Sequence, residues 1–394
     1  MSLADFSRKA DSLSIEQLRG RATRKWSMRM GESLLDGAWI AEADFGTAPQ
    51  VEAALHEAIS NNFLGYMPTW LVERTLYECR QFQADRFGVT LAEDCYGIAP
   101  DVLSVLHQVI EQLTDKGTPV IVPTPAYMPF LTIPGSHFRA TIQVPSHVDA
   151  NGRYKLDLER IDRAFSEGAQ LLILCNPWNP TGQTFTREEL VELASVVHKH
   201  PQAIVFSDEI HSPLVHADRT HIPFASLSEQ TASRTVTATA ASKGWNIPGL
   251  NCAQWYIAGS TLKERFARGS ELLASGASPL GALGACVAYR DGRDWLDDFN
   301  AYIVKNSVRV QELLADSGSR LRCTSPQATY LTWWDASAYE VNNPAELIAS
   351  KAAVAVNAGH ELGEDYSRFF RLNLASPTPV LEDMVSRILA AFAN

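Results

Sequence analysis

Short apolar, β-rich runs alternate with amphipathic helical stretches from about residue 95 to residue 260, and this alternation constrains the fold more than any other feature of the sequence. Strands separated by helical connections pair in parallel, and helices then cover the sheet. The pattern therefore predicts an α/β fold with a mostly parallel sheet covered on both faces. The candidate strands are residues 120–122, 171–175, 203–207 and 235–239.

The connection after the second candidate strand carries turn and helix signals. Residues 176–182 read Asn-Pro-Trp-Asn-Pro-Thr-Gly, a string rich in turn formers. Thr186 is followed three positions later by Glu189, which is the spacing of a capping box, so we predict a helix over about residues 187–200. Ligands bind beyond the carboxyl ends of the strands in such sheets, so polar residues directly after the apolar runs are the candidate functional residues.

The chain of 394 residues is long enough for two domains. After about residue 290 the pattern changes to a long helical segment at 295–317, a strand-like segment at 328–334 and a final helix at 379–392. We predict an N-terminal arm over 1–45 that contributes to the smaller domain, a large domain over 46–288 and a small C-terminal domain over 289–394.

Charge and composition exclude several classes of partner. The formal net charge is −11, and the sequence has no basic cluster of the kind that contacts nucleic-acid phosphates. No run approaches the ~20 apolar residues that a membrane span requires. The first 14 residues lack the features of a secretory signal. We therefore expect a cytoplasmic protein that binds neither nucleic acid nor membrane.

The six cysteines are widely scattered along the chain. They form no C-x-x-C pair and no His/Cys cluster at metal-ligand spacing, so the sequence predicts no metal site. We interpret them as ordinary buried thiols. They are Cys79, Cys95, Cys175, Cys252, Cys286 and Cys323.

Four polar segments lie at or after the ends of apolar runs, and together they resemble a known family. These segments are residues 125–127, 176–182, 207–211 and 242–244. Their order and spacing resemble those of fold-type I enzymes, which use pyridoxal 5′-phosphate (PLP). The resemblance implies the aspartate aminotransferase fold, with a large domain that binds PLP and a smaller α+β domain.

Longer strings narrow the resemblance to one branch of that family. Residues 208–211 read Asp-Glu-Ile-His, and residues 242–250 read Ser-Lys-Gly-Trp-Asn-Ile-Pro-Gly-Leu. Both strings are similar to the branch that contains the MalY and PatB carbon–sulfur β-lyases, which are cystathionine β-lyases. The resemblance covers nearly the whole chain, from the strings at 24–26 and 41–45 to the string at 370–377.

Lys243 and Asp208 are the central candidate catalytic residues. PLP requires a primary amine that forms an imine and moves a proton at the substrate α-carbon. The resemblance implies that Lys243 is both the Schiff-base lysine and the catalytic base. It also implies that Asp208, directly after the strand at 203–207, pairs with the pyridine nitrogen and keeps the ring protonated. For Asp208 taken alone, a helix N-cap is the alternative.

Three further residues complete the predicted contacts with the PLP ring. The resemblance implies that Asn179 binds the ring 3′-oxygen and that Tyr127 stacks on the ring face. We count Tyr127 with Lys243 and Asp208 among the candidate catalytic residues. The alternatives are a turn asparagine and a core tyrosine. His211 lies where many aminotransferases have tyrosine, and a histidine there is usual in the lyase branch.

The phosphate of PLP requires backbone donors at the start of a helix, and residues 99–103 precede an amphipathic helix. Val102 and Leu103 are the candidate amide donors, and Ser242 adds a hydroxyl. The resemblance implies that Tyr66 reaches the phosphate of a neighbouring subunit, which requires a homodimer.

Three positions depart from familiar patterns. Asn251 lies where classical aminotransferases carry a phosphate-binding arginine, a departure shared with the lyase branch. Ala240 lies where a serine is common, which puts one phosphate contact in doubt. Trp178 replaces a small residue or histidine, and two interpretations stay open: it narrows the pocket, or it caps the core beside the cofactor.

Arg371 is the candidate substrate-binding residue. The resemblance implies that it holds the substrate α-carboxylate through two parallel hydrogen bonds. Phe369, Phe370 and Leu372 flank it, near the start of the last helix, and an unpaired arginine buried there is costly. A position facing a ligand is therefore favoured.

The resemblance implies an enzyme in which Lys243 removes the α-proton of an L-amino acid. Because His211 and the 242–250 string match the lyase branch, we expect elimination from L-cystathionine or a related cysteine thioether, giving pyruvate, ammonia and a thiol. The alternatives are an aminotransferase, a specialised PLP enzyme of secondary metabolism, and a regulator on this fold that binds a partner protein. Lys243 and Asp208 are both present, which a noncatalytic regulator would not require.

Overall fold

The computed structural model describes residues 2–217 and 219–393. Helices are its most abundant secondary structure. In chain order they are α1 (Leu3–Asp11), α2 (Ile15–Gly20), α3 (Pro49–Ser60), α4 (Thr69–Phe87), α5 (Val102–Leu113), α6 (Met128–Ser136), α7 (Leu158–Ser166), α8 (Arg187–Lys199), α9 (Glu229–Ala232), α10 (Ala241–Gly244), α11 (Ser260–Ala267), α12 (Ser270–Ser275), α13 (Pro279–Asp291), α14 (Arg293–Asp316), α15 (Pro344–Ala352) and α16 (Thr378–Ala391).

Strands and short 3₁₀ helices connect these elements. The strands are β1 (Arg29–Met30), β2 (Ser33–Leu34), β3 (Asp36–Gly37), β4 (Tyr96–Ala99), β5 (Val120–Thr124), β6 (Thr141–Pro145), β7 (His147–Val148), β8 (Tyr154–Lys155), β9 (Leu171–Cys175), β10 (Ile204–Asp208), β11 (Thr235–Thr239), β12 (Ala253–Tyr256), β13 (Arg322–Cys323), β14 (Leu331–Asp335), β15 (Val354–Ala355), β16 (Asn357–Ala358) and β17 (Phe369–Asn373). The 3₁₀ helices are Arg24–Trp26, Glu93–Cys95, Ser212–Leu214, Phe224–Ser226, Pro248–Leu250 and Gly359–Leu362.

A seven-stranded sheet forms the centre of the molecule, as the alternating pattern predicts. Its strand order is β4-β12-β11-β10-β9-β5-β6, and only β12 runs antiparallel to its neighbours. Every residue of β5, β9, β10 and β11 is buried, so both faces of the sheet are covered. The four predicted strands are confirmed, with ends shifted by at most two residues.

The predicted helix after β9 is also confirmed, including its start signal. Thr186 accepts a hydrogen bond from the Glu189 amide and the Glu189 side chain accepts one from the Thr186 amide, which together make a capping box. The predicted long and final helices correspond to α14 and α16. The strand predicted at 328–334 begins later, at Leu331, because Thr329 has a φ of +65° that no strand residue adopts.

A second sheet contains the segment that carries Arg371. Its order is β13-β14-β17-β16 and all of its pairs are antiparallel. Arg371 lies within β17, where its register partner on β14 is Trp333 and its register partner on β16 is Asn357. Its place is therefore in a strand of this sheet, seven positions before α16 begins. The division of the chain at residues 45 and 288 stays a prediction.

A buried ion pair anchors the N-terminal arm to the segment after β17. The Nζ of Lys25 lies 2.8 Å from Oδ2 of Asp44, and both side chains are buried. Asp44 also accepts hydrogen bonds from the Trp26 indole and the Ser376 hydroxyl, and each of these bonds is 2.7 Å long. A buried charge pair requires such additional donors to offset its desolvation. The arm residues on either side of this pair are thereby held beside the carboxyl ends of the central strands.

Among the residues that the structure describes, no helix combines the length and apolar character that a bilayer span requires. All six cysteines are free, and five are buried while Cys323 is partly exposed. Within the same described ranges, no group of three or more His, Cys, Asp or Glu side chains could hold a metal ion.

Candidate active site

A cavity of about 300 Å³ opens at the carboxyl ends of the central strands. Its walls come from the residues that follow β4, β5, β9, β10 and β11, together with the N-terminal arm and β17. All of the predicted site residues except Tyr66 line it: Val102, Leu103, Tyr127, Asn179, Asp208, His211, Ser242, Lys243 and Arg371.

Lys243 presents a buried amine to this cavity. It lies in α10, one short turn after β11, and its Nζ donates a hydrogen bond of 2.8 Å to the Ala41 carbonyl. Burial and then the Arg371 cation lower the pKa of Lys243 to about 8, against the opposing charges of Glu42 and Asp208. A substantial neutral fraction at neutral pH gives this lysine the free lone pair that imine formation and proton abstraction require.

Asp208 is the last residue of β10 and is buried at the bottom of the cavity. One carboxylate oxygen accepts a 3.0 Å hydrogen bond from the Ile210 amide. Asp208 therefore also makes a local backbone contact similar to that of a helix N-cap, which was the alternative to the pyridinium role. Burial raises the pKa of Asp208 to about 7. A cationic partner in the cavity would favour the carboxylate form, and a pyridinium nitrogen is such a partner.

Arg371 is buried without a carboxylate partner within 4.0 Å among the described residues. Its guanidinium donates three hydrogen bonds: one of 3.0 Å to Oδ1 of Asn179, one of 2.5 Å to Oδ1 of Asn357 and one of 2.9 Å to the Trp39 carbonyl. Within the described ranges, its Nε has no hydrogen-bond partner. Burial is the largest influence on this group and lowers its pKa to about 10. These uncharged oxygens orient the guanidinium but do not neutralise it, so an anionic ligand can still pair with its charge.

His211 and Tyr127 form two further walls of the cavity. Burial, followed by the Lys243 and Arg371 cations, lowers the pKa of His211 to about 3, so this imidazole is neutral. Its Nδ1 is buried and has no hydrogen-bond partner among residues 2–217 and 219–393. Tyr127 precedes α6, and its ring packs edge-on against Phe130 with 5.5 Å between centroids. That contact leaves Tyr127 facing the cavity as well as the core.

The start of α5 provides an anion-binding position at one end of the cavity. Asp101 caps this helix by accepting a 2.7 Å hydrogen bond from the Ser104 amide. The amides of Val102 and Leu103 belong to the first turn, where no intrahelical acceptor exists. Ser242 lines the same cavity. First-turn amides and the helix dipole together favour a phosphate group.

The structure distinguishes between the two interpretations of Trp178. Its side chain is buried, stacks on Phe185 with 5.3 Å between centroids and donates a 2.8 Å hydrogen bond to the Pro125 carbonyl. It does not belong to the cavity wall. Trp178 therefore caps the core beside the site and does not narrow the pocket. Ala240 does line the cavity, where its methyl group offers no hydrogen bond.

Tyr66 lies outside this cavity and is fully exposed. Its predicted contact with a neighbouring subunit stays a prediction. Asn251 is also outside the cavity wall, with a φ of +50°, and its carbonyl accepts a hydrogen bond from the Ser278 amide.

Several cavity residues had no predicted role. Arg24, Trp39 and Ala41 belong to the N-terminal arm, and two of the strings that carry the family resemblance begin at Arg24 and Ala41. The family resemblance of these two strings was therefore the sequence signal that could have placed the arm at the site. Asn357 reaches Arg371 through the pairing of β16 with β17, and nothing local in the sequence indicates this contact.

The chain belongs to the aminotransferase class I and II family, whose sequence model matches residues 95–388. It is 33% identical to a cystathionine β-lyase of Corynebacterium glutamicum over 95% of this chain and 98% of that one. It is 31% identical to the cystathionine β-lyase PatB of Bacillus subtilis strain 168, over 90% and 92% of the two chains.

A solved structure shares the fold over nearly its full length. The crystal structure of a candidate PLP-dependent β-cystathionase from Corynebacterium diphtheriae has a TM-score of 0.89 and 37% identity, covering 97% of this chain and 98% of that one. The predicted family and the predicted aspartate aminotransferase fold are both confirmed.

The cavity residues fit PLP on chemical grounds. A buried amine of low pKa suits the aldehyde, and a buried carboxylate of raised pKa suits the ring nitrogen. The first-turn amides of α5 suit the phosphate. Lys243, Asp208 and the start of α5 line one continuous cavity, so a single ligand can contact all three.

We expect the depressed pKa of Lys243 to be measurable in the apoprotein, after bound PLP has been removed and the amine is free. The reactive neutral fraction of an amine falls about tenfold per pH unit below its pKa. Trace acetylation followed by peptide mass spectrometry should give a midpoint near pH 8 for Lys243. Lys263 is the internal control, because its hydrogen bond to Asp94 raises its pKa above the ordinary 10.5.

A variant at Glu42 tests whether neighbouring charges set the pKa of Lys243. The Glu42 carboxylate raises the pKa of Lys243, so Glu42→Gln should move the Lys243 midpoint to lower pH and leave the Lys263 midpoint in place. Equal midpoints for the two lysines would contradict the environment assigned to Lys243.

Proposed function

We propose that the protein is a PLP-dependent carbon–sulfur β-lyase that converts L-cystathionine or a related cysteine thioether to pyruvate, ammonia and a thiol. The observation that carries the proposal is the presence of Lys243, Asp208 and Arg371 in one buried cavity. Relatives at 31–33% identity over most of the chain are cystathionine β-lyases, which supports the lyase outcome.

Bound PLP supplies an electron sink for the electrons that remain when the substrate α-proton leaves. In this proposal Lys243 attaches the cofactor and Asp208 holds the ring nitrogen in its protonated form. Asn179 binds the ring 3′-oxygen, and Tyr127 packs against the ring. The amides of Val102 and Leu103 and the Ser242 hydroxyl would hold the phosphate, since all three residues line the cavity.

Arg371 binds the substrate α-carboxylate and so orients the α-hydrogen. Its guanidinium is held in place by Asn179, Asn357 and the Trp39 carbonyl, which are all uncharged. A carboxylate therefore meets an oriented cation that has little charge compensation from the protein. The substrate stands with its α-carbon near the buried Lys243 amine, since both groups line the same cavity.

Lys243 then removes the α-proton in its neutral form. The Cα–H and Cβ–S bonds break, a Cα–Cβ double bond forms, and the sulfur leaves with the electron pair as a thiolate. The proton on Lys243 then passes to this thiolate, which gives the thiol and restores the neutral amine. Water hydrolyses the released enamine to pyruvate and ammonia, which balances the reaction without an oxidant or a second substrate. His211 stays neutral beside Lys243 because its pKa is depressed, so it adds no positive charge that would oppose protonation of the lysine.

An aminotransferase is the second candidate function, since the family model that matches the chain describes aminotransferases. Both activities begin with the same proton abstraction by Lys243. They differ in where the electrons go: a lyase expels the β-substituent, and an aminotransferase returns a proton to the cofactor and leaves the amino group there. Only the product separates the two.

We further propose that the protein is a cytoplasmic homodimer in which Tyr66 reaches the neighbouring active site. Tyr66 lies between α3 and α4 and is fully exposed, and Ile59, Leu64 and Trp70 nearby are also more than half exposed. A contiguous group of large exposed apolar side chains is typical of an interface. A second copy would cover it in a symmetric dimer.

Complementation between inactive chains tests this assembly. Lys243→Ala and Tyr66→Ala chains, denatured together and refolded, should regain up to about a quarter of the wild-type sites if random dimers form. Hybrid dimers contain one site that has both intact residues only when Tyr66 acts across the interface. A mixture no more active than the separate variants would contradict the shared site, as would a mass of 43.4 kDa in light scattering of the active enzyme.

Product analysis separates lyase from aminotransferase. With L-cystathionine as sole substrate and no keto acid, we expect pyruvate to accumulate over many turnovers, in equal amounts with ammonia and thiol. The elimination regenerates the enzyme each cycle, whereas transamination stops after one turnover until a keto acid is added. A stoichiometric burst that continues only after a keto acid is supplied would contradict the lyase proposal.

A further inference from the structure

Arg24 places a second guanidinium on the wall of the active-site cavity. It begins the 3₁₀ helix Arg24–Trp26, whose other two residues are buried and bonded to Asp44. Those buried neighbours fix the backbone on which Arg24 stands. Arg24 itself is exposed, so it lies at the open rim while Arg371 lies inside.

Trp39 orients this guanidinium. The Cζ of Arg24 lies 5.7 Å from the centroid of the Trp39 ring, within the range of a cation–π contact. The Trp39 indole donates a 3.1 Å hydrogen bond to the Lys25 carbonyl, and the Trp39 carbonyl accepts the bond from Arg371. One residue thus contacts both arginines, through its ring at the rim and through its backbone inside.

Arg24 has no anionic partner in the part of the chain that the structure describes. Across residues 2–217 and 219–393, no carboxylate lies within 4.0 Å of its guanidinium, and no side-chain hydrogen bond from it is formed. Burial raises the pKa of the Tyr127 hydroxyl, and the Arg371 and Arg24 cations both oppose that shift, so each cation acts on the same part of the cavity. The cavity therefore carries two guanidinium groups that no protein carboxylate neutralises.

We propose that Arg24 determines specificity by binding a carboxylate on the leaving-group side of the substrate. The preferred substrates are then cysteine thioethers whose thiol fragment carries an anionic group. Arg371 lies inside and takes the α-carboxylate, so the thiol fragment extends toward the open rim where Arg24 stands. This inference rests on the proposed function and adds the charge of the leaving group to it.

Two substrates of equal size isolate the charge. S-(2-carboxyethyl)-L-cysteine and its carboxamide, S-(2-carbamoylethyl)-L-cysteine, differ only in the terminal group. We expect the wild-type enzyme to prefer the carboxylate by about tenfold in kcat/KM, mainly through KM, because a charge-assisted contact at a partly solvated site is of that order. Arg24→Gln should lower kcat/KM for the carboxylate about tenfold more than for the carboxamide.

Arg29→Gln is the matched control, since it removes the same charge from the same arm at an exposed position outside the cavity wall. It should keep the wild-type preference. Equal preference in Arg24→Gln and wild type would overturn the proposal. A loss of equal size for both substrates, or a weaker Kd for PLP in Arg24→Gln, would also overturn it by placing Arg24 at the cofactor phosphate or in the fold.

A binding measurement separates this inference from the proposed reaction. 2-Aminopimelate and its terminal carboxamide have the same chain length but no thiolate to expel, and their Kd values follow from the change in cofactor absorbance. Tighter binding of the dicarboxylate by about tenfold, lost in Arg24→Gln, would support Arg24 even if neither thioether released pyruvate. In that case the lyase proposal alone would fail. Equal Kd values in the wild type would overturn the role of Arg24.

Discussion

Burial of charged groups without matching opposite charges is the constraint on which the rest of the site depends. Desolvation is the largest influence on the pKa of Lys243, Asp208, His211 and Arg371. Desolvation disfavours the charged form in each case. The amine of Lys243 is therefore available as a base, and a bound cation would stabilise the carboxylate of Asp208. Carbonyl and amide groups hydrogen-bond to Lys243, Asp208 and Arg371 without cancelling their charges, which offsets part of the desolvation cost. Perturbed groups gathered in one cavity are the expected signature of a catalytic site.

The N-terminal arm supplies the groups that hold these charges. Backbone carbonyls of residues 39–42 accept hydrogen bonds from Arg371, Lys243 and the Asn373 side chain. These bonds fix the backbone of residues 39–42 along the cavity. The contacts of buried Asp44 with Lys25 and Ser376 fix the arm just after those residues. The arm therefore forms one wall of the cavity, and Arg24, Trp39, Ile40 and Ala41 are the arm residues that line it.

The central sheet could be predicted from sequence because its strands are short apolar runs whose pattern is local. That Lys243, Asp208 and Asn179 lie together in one cavity could also be predicted, since each lies at or after the end of such a strand and belongs to a specific string. Their roles toward PLP stay predictions. The β14 boundary was wrong because a positive φ at Thr329 leaves no mark in the hydrophobic pattern. The contact of Asn357 with Arg371 arises from register between distant strands, and a single sequence carries no signal for that pairing.

We propose above that the buried amine of Lys243 is the attachment point of PLP, and the other residue roles depend on this bond. Borohydride reduction of the purified protein with PLP, followed by proteolysis and mass spectrometry, tests it directly, since reduction converts an imine into a stable secondary amine. We expect one phosphopyridoxyl group per chain, located on the peptide that contains Lys243. Labelling at other lysines, or a protein that takes up no label, would contradict it.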